Sequence, residues 1–247
     1  MKELITSLFD NDSLFGKIMT RFGILIGANL MFVIFSLPVI TIAASITGLY
    51  HVMFKTLRGN GVLNPFKMFW QGFKNNFKQA TIVWMLALLL TFIFYLEFRI
   101  TGIAGGNLAI VRYALIIIAT VLLILLIYIF PVMTAFADTI PNLLKNSFYF
   151  AVKKPLKLVI IMFFTIFPLY LTYTDAQMMP LYAFIWVTIG YSLIAMLGAT
   201  LLLPEFKPFL PEVDEEGNFI NEDNNDNKIK DEKNEKEILE DMIKLGM

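Results

Sequence analysis

From Phe22 to Phe54 the chain runs 33 residues without Asp, Glu, Lys or Arg, and a single proline, in Ser36-Leu37-Pro38, divides the stretch. One straight helix of that length spans about 50 Å at roughly 1.5 Å per residue, whereas the hydrocarbon core of a bilayer is about 30 Å thick. The segment therefore has to turn back or bend. Proline lacks an amide hydrogen and its ring collides with the preceding helical turn, so Pro38 is the expected break. In lipid, the carbonyls released there need partners from neighbouring groups or from headgroup water.

The pattern recurs at Ala80 to Leu96, Tyr113 to Phe136, Val159 to Thr174 and Leu181 to Leu203. Apolar residues make up 57% of the 247 and charged ones 16%, against about 25% charged in a water-soluble domain. These features predict an all-α, polytopic transmembrane helix bundle. The first apolar run is longer than the roughly 7 to 15 residues of a cleavable signal's hydrophobic region, and reads as a retained anchor. Cysteine is absent, which removes disulfide and thiolate chemistry.

A formal charge of zero conceals a segregation: 14 of the 20 acids follow Leu203, while Met1 to Leu203 holds 14 bases against 6 acids. Three regions are expected: residues 1–21 as a cytoplasmic N-terminal segment, 22–203 as the transmembrane domain, and 204–247 as an acidic cytoplasmic tail. Pro204, Pro208 and Pro211 are expected to stop the last helix. Beyond them the Asp, Asn, Glu and Lys composition predicts disorder, with a short amphipathic helix around Ile238 and Met242.

Twelve basic residues fall in alternate connections. They are Lys2, Lys17 and Arg21; then Lys55, Arg58, Lys67, Lys74 and Lys78; then Lys145, Lys153, Lys154 and Lys157. The complementary connections carry only Arg99 and Arg112. By the positive-inside rule the twelve belong in the cytoplasm of a plasma-membrane protein with both termini inside. That requires two spans meeting at Pro38, hence six in all. Five spans, with the part after Pro38 shallow or re-entrant, is the alternative.

Both large basic connections show helical periodicity. Phe66, Phe69, Trp70, Phe73 and Phe77 recur at three and four residues, flanked by Lys67, Lys74 and Lys78, with Asn64 as cap and Pro65 in the first turn. Leu144, Phe148, Ala151 and Val152 repeat the design ahead of Lys153, Lys154 and Lys157. Each predicts an amphipathic helix at headgroup level, exposing a candidate cytoplasmic interface. The two segments can be overlaid residue by residue, through either internal duplication or convergence.

Polar side chains within spans are functional candidates because burying them in lipid is costly. Asn29 is the only strongly polar one near the middle of a span, and an interhelical hydrogen bond is its expected role. Gly23 with Gly27, and Ala44 with Gly48, form small-xxx-small pairs that predict close helix packing. Pro38 and Pro131, in the similar Pro-Val-Ile-Thr and Pro-Val-Met-Thr runs, are candidate helix breaks. The sole histidine, His51, is expected to pack near the cytoplasmic face.

Enzyme chemistry lacks its residues. A zinc protease helix needs two histidines one turn apart, and neither a GxSxG elbow, a phosphate-binding loop nor a cluster of carboxylates occurs. No catalytic residue, cofactor or metal site is expected. Nucleic acid is excluded as a partner, because anionic lipid at the interface accounts for the bases.

Taken together, several motifs give the chain the look of a known family. They are Leu14-Phe15-Gly16, Asn29-Leu30, Leu37-Pro38-Val39-Ile40-Thr41, Gly48-Leu49-Tyr50 with Lys55 and Arg58, Phe69-Trp70, Phe73-Lys74-Asn75-Asn76-Phe77, and Phe130-Pro131. Over residues 8–203 the chain resembles the YesL family of small bacterial membrane proteins, a domain of unknown function. The resemblance implies a typically Gram-positive origin and genes that often neighbour carbohydrate ABC importers, and it implies no catalytic or binding residues. The acidic tail departs from the family pattern. The leading expectation is a non-enzymatic accessory subunit beside an ABC importer permease in the lipid bilayer. The alternative is a small-solute carrier or channel, with the Pro38 and Pro131 breaks exposing backbone to a substrate.

Overall fold

The computed structural model describes residues 13–59, 64–104 and 109–210. The expected disordered tail and terminal amphipathic helix lie mostly outside these residues. Among the described residues six helices are long and apolar enough to cross a membrane: Phe15–Phe35, Val39–Arg58, Pro65–Ile100, Val111–Ala135, Pro155–Thr174 and Met179–Phe209. The predicted all-α bundle with six candidate spans is observed.

Helix α1, Leu14–Phe35, starts at Ser13, whose Oγ accepts from the Gly16 amide at 2.9 Å. The chain then turns at Pro38 and re-enters as a short 3-10 turn, Val39–Thr41, and α2, Ile42–Arg58. The carbonyls released at the turn are answered from within the protein. The Thr41 hydroxyl lies 2.6 Å from the Phe35 carbonyl and 2.8 Å from that of Pro38, and the Trp84 indole donates to the Val39 carbonyl at 2.8 Å. The stretch after Pro38 is thus a full helix.

Helix α2 is the central column. It packs against α1, against α3 (Pro65–Ala104), against α4 (Ala109–Ala135) and against α8 (Tyr191–Phe206). Ala43, Ala44, Thr47, Val52 and Met53 along it are fully buried. The α2–α3 crossing is backbone against backbone. A Cβ at Gly48 would stand 3.0 Å from the Phe69 carbonyl oxygen, and one at Gly72 would strike His51 and lie 3.1 Å from Gly48 Cα.

Helix α3 corrects the expectation of a separate interfacial helix at Pro65 to Lys78. Asn64 caps it as anticipated, accepting from the Phe66 and Lys67 amides at 3.0 and 3.2 Å. The helix then continues unbroken for 40 residues, about 60 Å at 1.5 Å per residue. Nothing between Lys78 and Ala80 breaks a helix, and the aromatic stripe has a protein partner: Phe35 packs against Phe69, Trp70 and Phe73 at centroid distances of 5.8, 5.6 and 5.1 Å. Phe69 and Phe73 are core residues, while Phe66, Trp70 and Phe77 face outward.

Pro131 does not break α4, which runs on to Ala135. The proline forfeits one hydrogen bond a single turn from the helix end, where the ladder is about to stop anyway. Burial between Phe130, Val132 and Met133, all in the core, and donation from the Thr134 hydroxyl to the Phe130 carbonyl at 2.7 Å hold the helix through it.

Helix α5, Ile140–Lys153, is the expected short helix of the second basic connection, and α6, Pro155–Thr174, leaves it at the bend of Lys154. Against the core α5 sets Leu143, Ser147, Phe150 and Ala151; of the predicted stripe, Leu144, Phe148 and Val152 face outward. The last span combines α7 (Met179–Ile185), a π-helical segment (Trp186–Gly190) and α8. Pro204 does not stop α8, which reaches Phe206 and passes into a 3-10 turn at Lys207–Phe209. The reason is packing: Phe206 is fully buried among Phe54, Phe136 and Phe150, at 5.8, 5.3 and 4.8 Å.

Enlarging the glycine at the α2–α3 crossing should force these helices apart. Gly72→Ala is predicted to cost about 1–3 kcal/mol, as overpacking does, and to lower the melting temperature in mild detergent. An unchanged melting temperature would contradict the close crossing.

Candidate functional site: a polar junction inside the bundle and a lysine clamp at its end

Asn29, fully buried on α1, meets the π-helical segment of the last span. Its amide nitrogen donates to the Trp186 and Val187 carbonyls at 2.9 and 2.8 Å, and its oxygen accepts from the Ser192 amide at 3.0 Å. A π segment widens the helical ring and leaves backbone groups without their usual partners. An asparagine carboxamide, with donors and an acceptor on one planar group, matches that need. The Trp186 indole donates to the Thr172 hydroxyl at 2.9 Å, tying α6 to the same point. Gly190 is required here, since a Cβ would lie 2.7 Å from the Trp186 ring. The junction thus joins α1, α6 and the last span, and the Asn29 amide is fully engaged by backbone.

Beside it lies a cavity of about 400 Å³, walled by Phe32, Ser36, Leu37, Thr172, Met179 and Trp186 among others. The buried Ser36 hydroxyl in its wall has no hydrogen-bond partner.

At the other end of the last span, Glu205 collects three ammonium groups. Lys157, Lys154 and Lys153 stand 2.8, 3.1 and 3.7 Å from its carboxylate, and Lys157 also donates to the Leu201 carbonyl at 2.9 Å. Lys153 and Lys154, expected at the headgroup interface, are therefore shared with a protein carboxylate yet remain substantially exposed. Their cluster keeps two positive charges in excess. Nearby, His51 presses on Gly72, and its buried Nε2 has no hydrogen-bond partner. With Lys55, Arg58 and Thr134 it lines a cavity of about 30 Å³, room for a single water.

The predicted packing residues separate into two groups. Gly27 opposes Pro65 and Phe66, Gly48 opposes Phe69, and Ala44 is buried. Gly23 is not at a packing contact: a Cβ there would find nothing within 4 Å. Its face of α1, with Met19, Phe22, Ile26 and Leu30, looks outward, because the helix turns only Gly27 and its neighbours toward the core. Lys74 and Lys78 are exposed on α3, as Phe148 is on α5. Among the described residues no three His, Asp or Glu side chains gather as a metal site.

Composition places Glu205 in the tail, and nothing in the sequence marks Trp186, Thr172, Thr41 or Trp84 as bonding partners. One signal was available: Glu205 is the sole acid between Asp175 and Glu212, directly after an apolar run. The π segment had none, since it arises from how the last span meets Asn29.

Asn29→Leu should leave two carbonyls and one amide without partners in an apolar interior, at a cost of about 1–3 kcal/mol. Hydrogen exchange at the Ser192 amide should accelerate; exchange as slow as in the parent would refute the junction. A second expectation concerns pH. Asp138 precedes α5 and accepts from the Asn142 side chain at 2.9 Å and from the Thr139 amide, and these bonds hold its carboxyl below the ordinary carboxylate range. A lowered folded-state value stabilises the native form above the unfolded pKa of about 3.9, and that contribution disappears as pH falls through the folded value. Asp138→Asn should remove this acid-side dependence while leaving neutral-pH behaviour of α5 little changed, as read from melting temperatures between pH 7 and pH 3.

Comparison with known proteins returns no match among curated proteins and none among solved structures. Residues 25–98 match the family model described as protein of unknown function, DUF624. That stretch spans the Asn29 half of α1, the Pro38 turn, α2 and α3 through Phe98, whereas Trp186, Ser192 and Glu205 lie beyond it. The resemblance carried by the motifs is thus met over residues 25–98, which are similar to the YesL-type domain of unknown function.

Proposed function

We propose that the protein is a non-enzymatic accessory subunit of a carbohydrate ABC importer in the plasma membrane. Its basic connections and both termini face the cytoplasm in this reading. The outward face of α1 around Gly23 is the observation that carries it. Gly27, Ala44 and Gly48 are consumed inside the bundle, but Gly23 leaves an open notch among Met19, Phe22, Ile26 and Leu30. Lipid tails are as apolar as leucine, so helices associate in a membrane through close backbone approach, which such a notch permits. The sugar-uptake context comes from the family resemblance alone.

A second reading, a small-solute carrier or channel, is favoured by the 400 Å³ cavity beside the π segment, with its unpartnered Ser36 hydroxyl. It no longer draws on exposed backbone at the prolines, since the Pro38 carbonyls are internally bonded and α4 runs through Pro131.

Affinity purification in mild detergent from sugar-grown cells should recover permease subunits. Gly23→Leu, which points into open space and replaces glycine in a helix, should leave the protein folded while reducing that recovery several-fold. Recovery of no importer component would defeat the proposal; sugar flux in liposomes containing this protein alone would favour the carrier.

A further inference from the structure

Helix α6 is attached at its two ends and open in the middle. At one end Lys157 bonds Glu205 and the Leu201 carbonyl; toward the other the Trp186 indole bonds Thr172. Between these pins only Ile161 is buried, and a groove runs between α6 and the last span. Its volume is about 780 Å³ and its walls are almost wholly apolar, including Ile160, Phe164, Leu171, Leu193 and Leu197. An empty groove would forfeit dispersion contacts along both walls, so an apolar occupant is favoured.

Two dimensions identify the occupant. Along α6 the groove extends from Ile160 to Thr172, about 18 Å at 1.5 Å per residue, close to one leaflet, about half of a 30 Å hydrocarbon core. Its basic mouth lies one turn from the Glu205 cluster. There three ammonium groups share one carboxylate, and the Lys153 and Lys154 side chains remain 38% and 52% exposed. The N-terminus of α6, a helix of 20 residues starting at Pro155, adds a positive dipole end at the same place.

We propose that this groove binds one anionic phospholipid, its acyl chain along α6 and α8 and its phosphate on Lys153 and Lys154. Any apolar helix surface meets acyl chains; the excess positive charge at the mouth selects the headgroup. The site is built by α6 and the last span rather than by α1, which carries Gly23, and does not depend on the sugar-uptake reading.

The test is native mass spectrometry of the full chain in detergent with equal dioleoyl-phosphatidylglycerol and dioleoyl-phosphatidylcholine. One phosphatidylglycerol should persist under activation that strips phosphatidylcholine. Lys153→Gln with Lys154→Gln, both at exposed positions, should reduce retention about tenfold, from the loss of two charges near the headgroup. Leu197→Trp, which fills the groove without changing charge, should reduce it as well, whereas Lys67→Gln with Lys74→Gln on α3 should not. Equal retention of the two lipids, or undiminished retention in the Lys153/Lys154 variant, would overturn the proposal. So would loss in the α3 control, or displacement of the lipid by millimolar inorganic phosphate, which would indicate a free-anion site.

Discussion

A backbone that leaves regular helix inside a bilayer has no water to turn to, so each interruption in this bundle is matched by a side chain from elsewhere in the chain. At Pro38 the answer is partly local, from Thr41, and partly distant, from the Trp84 indole on α3. At the π segment the distant partner is Asn29, some 157 residues earlier in sequence, which answers the Trp186 and Val187 carbonyls, while the Ser192 hydroxyl donates locally to the Ile189 carbonyl. These polar bonds specify which helix meets which, a task that apolar surface cannot perform in an apolar solvent. The first and last spans are thereby locked together, and α2 is enclosed between them and its other neighbours.

Around those locks the packing follows from small residues and aromatic rings. Gly48 and Gly72 let α2 and α3 touch at the backbone, and the space they free is filled by Phe69 and His51. At the basic end, Phe206 closes the core against Phe54, Phe136 and Phe150, which carries Glu205 to the three lysines of the α5–α6 bend. One buried ring thus positions one carboxylate, and that carboxylate organises the charge of the whole connection. Helix α6, held by this clamp and by Thr172, is the least packed span, so its long sides remain for lipid or for partners.

Much of the candidate site was readable in residue types, and little of it in geometry. Asn29 stood out because amides are rare in spans, but its acceptors could not be named. The aromatic run at Phe66 to Phe77 was recognised as a helix face, yet an aromatic stripe looks the same whether it meets headgroups or Phe35 of α1. Gly23 and Gly27 have equal standing in sequence; only the rotation of α1 about its axis decides that one is buried and the other open. Pro131 and Pro204 sit inside helices despite their helix-breaking chemistry, since local propensity yields to burial when the lost bond lies near a helix end.

The sequence by itself determined the helical membrane class and the turn at Pro38, and favoured six spans over five, because span length, charge distribution and proline chemistry act locally or through the bilayer. Only the tertiary structure decided that α3 is continuous, that the last span opens into a π segment at Asn29, and that Glu205 belongs to the bundle. Each of these depends on contacts between residues far apart in the chain, where the same side chain has several chemically equivalent partners and packing alone selects one.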